Sequence, residues 1–339
     1  MSQDFRSSAS RSARRLLGRG AARVASTPWL TTILYDLMNE TNFSGLSEHE
    51  EMLSDRVRVE AYHRAIHAQV GPGDVVVDLG TGTGLLACMA SRAGASKVYA
   101  VEHGEIIELA REIAAHNGCD NIEFVRANSR EFEAPEPVDV IVHEQMGDEL
   151  FNENMVANVV DLRDRCLRAG GRILPGRFRL FVEPVCFAET HRVRRFWNIE
   201  LPDGLDLSPT RQSLIAARFD SDRMDQIWAR PGAVAGTAGT PSPLVEFDLH
   251  DLRTIDELQI DHVVDRTMAT DGVVDGLCVW FETAFPDGTG FTTSPLEPTT
   301  SWGNRVFRVD RDVVADDRLR WHVHLGSIVD PATWLVDEV

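Results

Sequence analysis

The amino-acid sequence predicts an α/β protein: a doubly wound parallel sheet followed by a mostly antiparallel β domain. Three observations predict this fold. Apolar strand-like runs alternate with helix-like segments over residues 71–176, and such alternation specifies a parallel sheet with helices on both faces. A glycine-rich turn directly follows the first of these runs. After Pro175, short apolar runs are separated by Gly, Pro and Asp, as is typical of antiparallel strands.

The composition is that of an ordinary globular protein. The chain has 339 residues, 43% of them hydrophobic and 26% charged, which predicts one large or two medium domains. No apolar run approaches the ~20 residues that span a bilayer, so we expect a soluble protein without a membrane partner. The net charge of −19 argues against nucleic acid, because a phosphate backbone needs clustered cations. It favours basic peptides, although acidity can also serve solubility alone.

The cysteines and the N-terminus bear on location. The five cysteines are scattered and form neither a CxxC pair nor a secreted disulfide framework, so we expect a cytoplasmic location and no metal site. Residues 1–27 carry six arginines among serines and alanines. This composition resembles a transit peptide without the apolar core of a secretory signal. We favour a basic, mobile tail or a short surface helix.

The elements follow in order. Residues 28–70 are predicted to be mostly helical up to the Gly71-Pro72-Gly73 turn. The first domain, residues 71–176, should bind its ligand at the carboxyl ends of its strands. In the second, residues 177–339, we expect a helical excursion at about 190–224 and a loop at 231–243. The predicted strands are residues 75–79, 98–101, 122–125, 138–142, 172–174, 178–185, 244–249, 277–285 and 318–325, and the predicted helices of the first domain are a segment ending near residue 93, residues 106–116 and residues 155–167.

The glycine-rich turn predicts a nucleoside cofactor. Glycines permit a tight turn and close approach of a ligand to the backbone. Glu102 ends the second predicted strand, where a carboxylate can accept both hydrogen bonds of a ribose diol. The G-x-G-x-G form with a preceding Asp is typical of methyltransferases, whose cofactor S-adenosylmethionine has no phosphate, and NAD is the weaker alternative. The predicted cofactor-binding residues here are Asp78, Gly80, Thr81, Gly82, Gly84, Glu102 and Ser129.

A second motif, residues 143–155, follows the fourth predicted strand and carries Glu144 and Glu153. Both should lie at the rim where the cofactor's methyl group points. Methyl transfer is an in-line displacement at a sulfonium carbon, so the acceptor nitrogen needs a free lone pair. Carboxylates can orient a cationic nitrogen group and receive its proton. The structural alternative is an acidic, solvated loop with a helix cap.

Several motifs in order resemble the protein arginine methyltransferases over roughly residues 45–336. They are the segment 49–58, the glycine turn, the two-glutamate motif, Leu174-Pro175, and the segment 290–295 running on to Trp302. The resemblance implies a Rossmann-like methyltransferase domain covered by helices of residues 28–70, then a β-barrel whose excursion is an arm for homodimerisation. It implies that Arg58 holds the cofactor carboxylate and that Glu144 and Glu153 hold the acceptor nitrogen. Met52, Met146 and Trp302 would line the substrate pocket.

The sequence departs from the family pattern around the acceptor. His143 and Gln145 replace the usual Ser and Trp beside Glu144, and Ser301 replaces the histidine expected to pair with Asp55. Ser301 can still hydrogen-bond Asp55, but it cannot titrate near neutral pH. His143 is either an extra general base or a buried, hydrogen-bonded histidine. We therefore predict His143, Glu144, Glu153, Asp55 and Ser301 as the catalytic residues.

The altered pocket suits a differently shaped acceptor. A guanidinium stays protonated to pH ~12, whereas an aliphatic amine of pKa ~10 can be freed by one base. The sequence therefore favours N-methylation of a peptide or small-molecule amine, in a modified-peptide or natural-product pathway, over arginine methylation. Two alternative functions from other classes stay open: a non-catalytic scaffold with this fold, and a dehydrogenase.

Overall fold

A computed structural model describes residues 45–213 and 226–339. The basic tail, residues 28–44 of the predicted helical segment and the end of the predicted arm, from residue 214 onward, lie outside the described residues. The chain divides into two compact units, residues 1–50 and 51–339. Of the first unit, only residues 45–50 are described, and helix α1, Leu46–Ser54, begins there. Within the described ranges, no helix is long and apolar enough to cross a membrane.

The first domain contains a five-stranded parallel sheet in the order β3-β2-β1-β4-β5, which confirms the predicted α/β class. Strand β1 is buried along its whole length, because helices cover both faces of the sheet. Strand β5 begins earlier than predicted, since residues 167–171 extend it rather than the preceding helix. The bounds are α2 Arg56–Gln69, β1 Val75–Leu79, α3 Leu85–Ala93, β2 Lys97–Glu102, α4 Ile107–His116, β3 Ile122–Arg126, β4 Val138–His143, α5 Met155–Cys166 and β5 Leu167–Leu174.

The second domain is antiparallel, as predicted for the barrel. One sheet joins seven strands, β6 to β9 and β11 to β13, and a second joins β10, β14 and β15. The predicted loop at 231–243 is a correction: residues 234–237 form β8, because their backbone pairs with the edge of β6. The bounds are β6 Arg177–Phe187, β7 Gln226–Ala229, β8 Val234–Thr237, β9 Val245–Asp248, β10 Asp261–Thr267, β11 Gly272–Ala284, β12 Gly290–Thr292, β13 Asn304–Val313, β14 Arg318–His324 and β15 Leu335–Glu338.

The described part of the predicted arm, residues 190–213, contains no α-helix and is built from short 3₁₀ helices. Asp310 on β13 fixes its base. This carboxylate is buried and accepts hydrogen bonds from the Arg195 backbone N–H at 2.6 Å and the Asn198 amide at 2.8 Å. The arm is therefore anchored to the barrel by a buried polar contact, while its dimerisation role stays a prediction.

The two domains share one hydrophobic core. Phe151, just before Glu153, stacks on Phe247 of β9 at a centroid distance of 5.5 Å, and Phe247 stacks on Phe178 of β6 at 5.2 Å. Arg163 of α5 donates to the carbonyl of Leu252 at 2.7 Å. The segment that carries the two glutamates is thus packed directly against the barrel.

Replacing Phe247 with alanine should destabilise the whole protein by about 3–5 kcal/mol, because the cavity removes contacts to both domains. Urea unfolding followed by tryptophan fluorescence measures this loss. Leu335→Ala, which truncates an exposed side chain on β15, is the matched control and should change stability by less than about 0.5 kcal/mol. Equal losses in the two variants would contradict a core shared through Phe247.

Candidate active site

The glycine turn after β1 has the conformation that the sequence predicted. Gly80, Gly82 and Gly84 have φ angles of +73°, +53° and +80°, which favour glycine. Asp78 lies beneath the turn, where one carboxylate oxygen accepts from the Thr81 hydroxyl at 2.6 Å and the Ala87 backbone N–H at 2.9 Å. Burial raises the pKa of Asp78 to about 7 against these two bonds. Asp78 is fully buried and shapes the turn, its other oxygen accepts no hydrogen bond from the described residues, and its contact with the cofactor stays a prediction.

Glu102 ends β2 beside this turn. Its carboxylate accepts from the Gly82 backbone N–H at 3.2 Å and from the Gly104 backbone N–H at 2.8 Å, one bond on each oxygen. His103 Nδ1 lies 3.3 Å from the oxygen that receives Gly104, and the oxygen that receives Gly82 has a second lone pair for a further donor. A carboxylate fixed in this way fits a ribose diol.

Ser129 follows β3, at the same carboxyl-end edge of the sheet. It is half-buried, and its carbonyl accepts from Arg165 of α5 at 2.9 Å. Gln145 lies on the other side of the turn, where a Cβ added to Gly80 would stand 3.3 Å from its amide nitrogen. These residues fit a nucleoside cofactor at this edge, and the contact of Ser129 with it stays a prediction.

Arg58 and Glu144 form the central ion pair. Their Nη2 and Oε2 atoms are 2.6 Å apart, and both side chains are largely buried. The Arg58 guanidinium also lies over the Trp302 ring, 5.4 Å from its centroid. Burial raises the pKa of Glu144, and Arg58 opposes that rise. Arg58 thus contacts Glu144, and its contact with the cofactor carboxylate stays a prediction.

Glu153 is the second carboxylate of the site. Burial, followed by the charge of Glu144, raises its pKa to about 8, and Arg58 partly opposes this. The two glutamates therefore lie close enough to repel each other. A site with these pKa values favours a cationic ligand, because an added positive charge stabilises both carboxylates.

The structure does not support a catalytic role for His143. Its ring is fully buried, and its Nε2 lies 2.9 Å from the Pro175 carbonyl oxygen. Burial lowers its pKa to about 4, so the ring is neutral at physiological pH. The geometry of a buried, hydrogen-bonded histidine excludes a general base that reaches the acceptor.

The loop after β12 contacts the N-terminus of helix α2 through Ser301 and Asp55. Ser301 donates to Asp55 through its backbone N–H at 2.8 Å and its hydroxyl at 3.2 Å. Asp55 also caps helix α2 by accepting from the Arg58 backbone N–H at 3.0 Å. Asp55 and Ser301 thus position Arg58, and the charge of Asp55 also contributes to the raised pKa of Glu144.

Trp302 continues the same loop. Its indole N–H donates to the Met146 carbonyl at 2.6 Å, and its ring stacks on Phe291 at 5.2 Å. The Met146 side chain is buried in the core, which corrects its predicted place in the substrate pocket: it contributes its carbonyl instead. Met52 is half-buried on α1, and its contact with the acceptor stays a prediction.

Sequence reasoning missed Asp148 and Gly303, the third contact of this loop. The Gly303 backbone N–H donates to Asp148 at 2.7 Å. Asp148 lies within the motif 143–155, between the two glutamates, and its charge is the signal that could have identified it as a site residue. Across the residues that the structure describes, no group of three or more His, Cys, Asp or Glu side chains is arranged to hold a metal ion.

Comparisons with known proteins agree with this geometry. Residues 49–161 match the family model for the ribosomal protein L11 methyltransferase. A crystal structure of Arabidopsis thaliana protein arginine methyltransferase 10 in a uniquely open conformation is similar at a TM-score of 0.70 and 27% identity, over 84% of this chain and 89% of that one. A Trypanosoma brucei PRMT1 enzyme–prozyme heterotetrameric complex with AdoHcy is similar at a TM-score of 0.69 and 25% identity, over 83% and 88%.

Curated relatives cover most of the chain at higher identity. The Danio rerio protein arginine N-methyltransferase 6 is 31% identical over 86% of this chain and 84% of its own length. The Xenopus laevis protein of the same name is 30% identical over 80% of each. With the glycine turn, Glu102 and the two buried glutamates in place, this chain belongs to the protein arginine methyltransferase family of S-adenosylmethionine-dependent N-methyltransferases.

Proposed function

We propose that this protein methylates a guanidine nitrogen of arginine in a protein or peptide. The observation that carries the proposal is the pair of neighbouring, half-buried glutamates, Glu144 and Glu153, whose pKa values are both raised beside Arg58. A guanidinium is planar, carries five N–H donors and matches carboxylates in bidentate geometry. It would also add a positive charge beside both carboxylates.

The chemistry follows from these groups. S-adenosylmethionine supplies an electrophilic methyl carbon when it is bound. The two glutamates hold the guanidinium and align one nitrogen with that carbon. The nitrogen that receives the methyl group would release a proton, which a carboxylate of the site would accept. Glu153 is the better acceptor for this proton, because burial and the charge of Glu144 raise its pKa, whereas Glu144 is held as an anion by its 2.6 Å contact with Arg58.

The sequence favours an aliphatic amine because of the replacements at positions 143, 145 and 301, and two of these replacements lose force in the structure. His143 is buried away from the acceptor, and Ser301 keeps the hydrogen bond to Asp55 that the replacement left available. Gln145 is the remaining departure at the pocket wall. The guanidinium therefore becomes the leading proposal, and an amine acceptor in a modified-peptide pathway is the alternative that the same experiment tests.

Replacing Glu144 with glutamine should lower the rate of methyl transfer to an arginine peptide by on the order of 10²-fold or more, because a charge that orients the guanidinium is lost. Cofactor binding, measured by calorimetry, should persist. The measurement is transfer of labelled methyl groups, followed by hydrolysis and mass analysis of the modified residue. Glu60→Gln, the same change on the exposed face of α2, should leave the rate unchanged.

Three results would contradict the proposal. Normal turnover by the Glu144→Gln protein would remove the role of that carboxylate. Methyl-lysine or a methylated small amine in place of methylarginine would identify the amine alternative. Absence of transfer despite cofactor binding would favour a scaffold.

The affinity for an arginine peptide should rise with pH and level off above about pH 8. The Glu153 carboxyl holds a proton below its pKa of about 8, and an incoming guanidinium must displace that proton. The rise approaches tenfold per pH unit for one released proton. Calorimetry in buffers of different ionisation enthalpy measures the release. A flat profile, or one that Glu153→Gln leaves unchanged, would contradict this assignment.

We propose further that the protein is a homodimer joined through the arm. The described arm residues include Val193, Phe196 and Leu205, apolar side chains that are exposed in the single chain. Light scattering during gel filtration should give twice the chain mass of 37.7 kDa. Phe196→Asp with Leu205→Asp should give a monomer, whereas Leu335→Asp on β15 should not. A monomeric wild-type protein would contradict the proposal.

A further inference from the structure

Asp148 lies beside the catalytic pair but has a different partner. It sits between Glu144 and Glu153 in the chain, and its charge contributes to the raised pKa of Glu153. One of its oxygens accepts from the Gly303 backbone N–H at 2.7 Å. Among the described residues, no basic side chain hydrogen-bonds or ion-pairs with it. Asp148 is therefore a fixed negative charge next to the acceptor site.

Trp228 of β7 stands over the same glycine. A Cβ added to Gly303 would lie 2.9 Å from two carbons of the indole ring and 3.5 Å from Asp148. The indole is 50% exposed, which is unusual for so large an aromatic side chain. The carboxylate and the aromatic ring therefore flank one small space, which only glycine at position 303 leaves open.

The indole already accepts one cation. The guanidinium carbon of Arg305 lies 5.0 Å from the centroid of the Trp228 ring. Arg305 pairs with Glu149, with Nε and Oε1 2.5 Å apart, and its charge also lowers the pKa of Asp148, so one guanidinium is shared between two carboxylates. Exposed Glu51 adds a further negative charge near Asp148. Asp148, Glu149 and Glu51 together carry more negative charge than Arg305 neutralises, and an aromatic ring beside excess negative charge is a combination that binds ammonium and guanidinium groups.

We propose that Asp148 and Trp228 form a subsite for a second basic side chain of the substrate, one that flanks the arginine to be methylated. This inference rests on the proposed function, because it assumes a peptide acceptor held by Glu144 and Glu153. It names the substrate class more closely: peptides in which a lysine or arginine lies near the target arginine. The subsite contributes to binding, so its effect falls on KM more than on kcat.

Two sets of synthetic peptides test the subsite. Each contains a single target arginine and carries either lysine or alanine at one neighbouring position, which is varied over the three residues on each side. The lysine peptide should have a KM about tenfold lower at the best position, as expected for one added cation contact. Asp148→Asn keeps an oxygen for the Gly303 N–H while removing the charge, and should bring the ratio of the two KM values close to one.

Further variants separate the aromatic contribution from general effects. Trp228→Ala should also reduce the ratio, and Trp228→Phe should restore part of it. Asp120→Asn, an exposed change in the turn before β3, should keep the wild-type ratio. Thermal melting of each variant identifies any that fail to fold.

The possible failures are distinguishable. If the wild-type protein methylates neither peptide on arginine, the proposed function is wrong. If it methylates both with equal KM at every lysine position, the subsite alone is wrong. A folded Asp148→Asn or Trp228→Ala protein that keeps the full lysine preference would likewise overturn the subsite.

Discussion

The proximity of the two half-buried glutamates is the constraint on which the site depends. Removing carboxylates from water raises their pKa values; the charge of Asp55 raises that of Glu144 further, and the charge of Glu144 raises that of Glu153. Arg58 opposes both effects through its 2.6 Å contact with Glu144. A cationic ligand would add a further favourable charge beside both carboxylates. The burial that raises the two pKa values therefore favours a cation in the site.

Arg58 can serve this purpose only because other elements fix its position. Asp55 caps the helix that carries Arg58 and also receives Ser301 from the barrel. Trp302 lies under the guanidinium and holds the Met146 carbonyl. One short barrel loop thus joins helix α2 to the segment that follows β4. The barrel is part of the active-site framework, which explains why both domains share a single core.

The sequence predicted the sheet domain more accurately than the acceptor site. Strand–helix alternation and the glycine turn are local signals, so strands such as Val75–Leu79 were predicted to the residue. Burial of a particular side chain depends on distant segments. His143 reads as a candidate base until the Pro175 carbonyl is seen beside it, and Asp148 gains a partner 155 residues away in Gly303. Edge pairing likewise made a strand of residues 234–237, whose composition is that of a loop.

Arg58 also links the two halves of the chemistry. The family resemblance gives it the cofactor carboxylate, while the structure pairs it with Glu144. A guanidinium has five N–H donors and can hold two anions at once. A second anion on Arg58 would reduce the electrostatic stabilisation that Arg58 gives to Glu144. A bound cation would then stabilise the two carboxylates by a larger free energy. Occupation of the cofactor side should therefore favour binding of the basic acceptor on the other side, because both depend on the same positive charge.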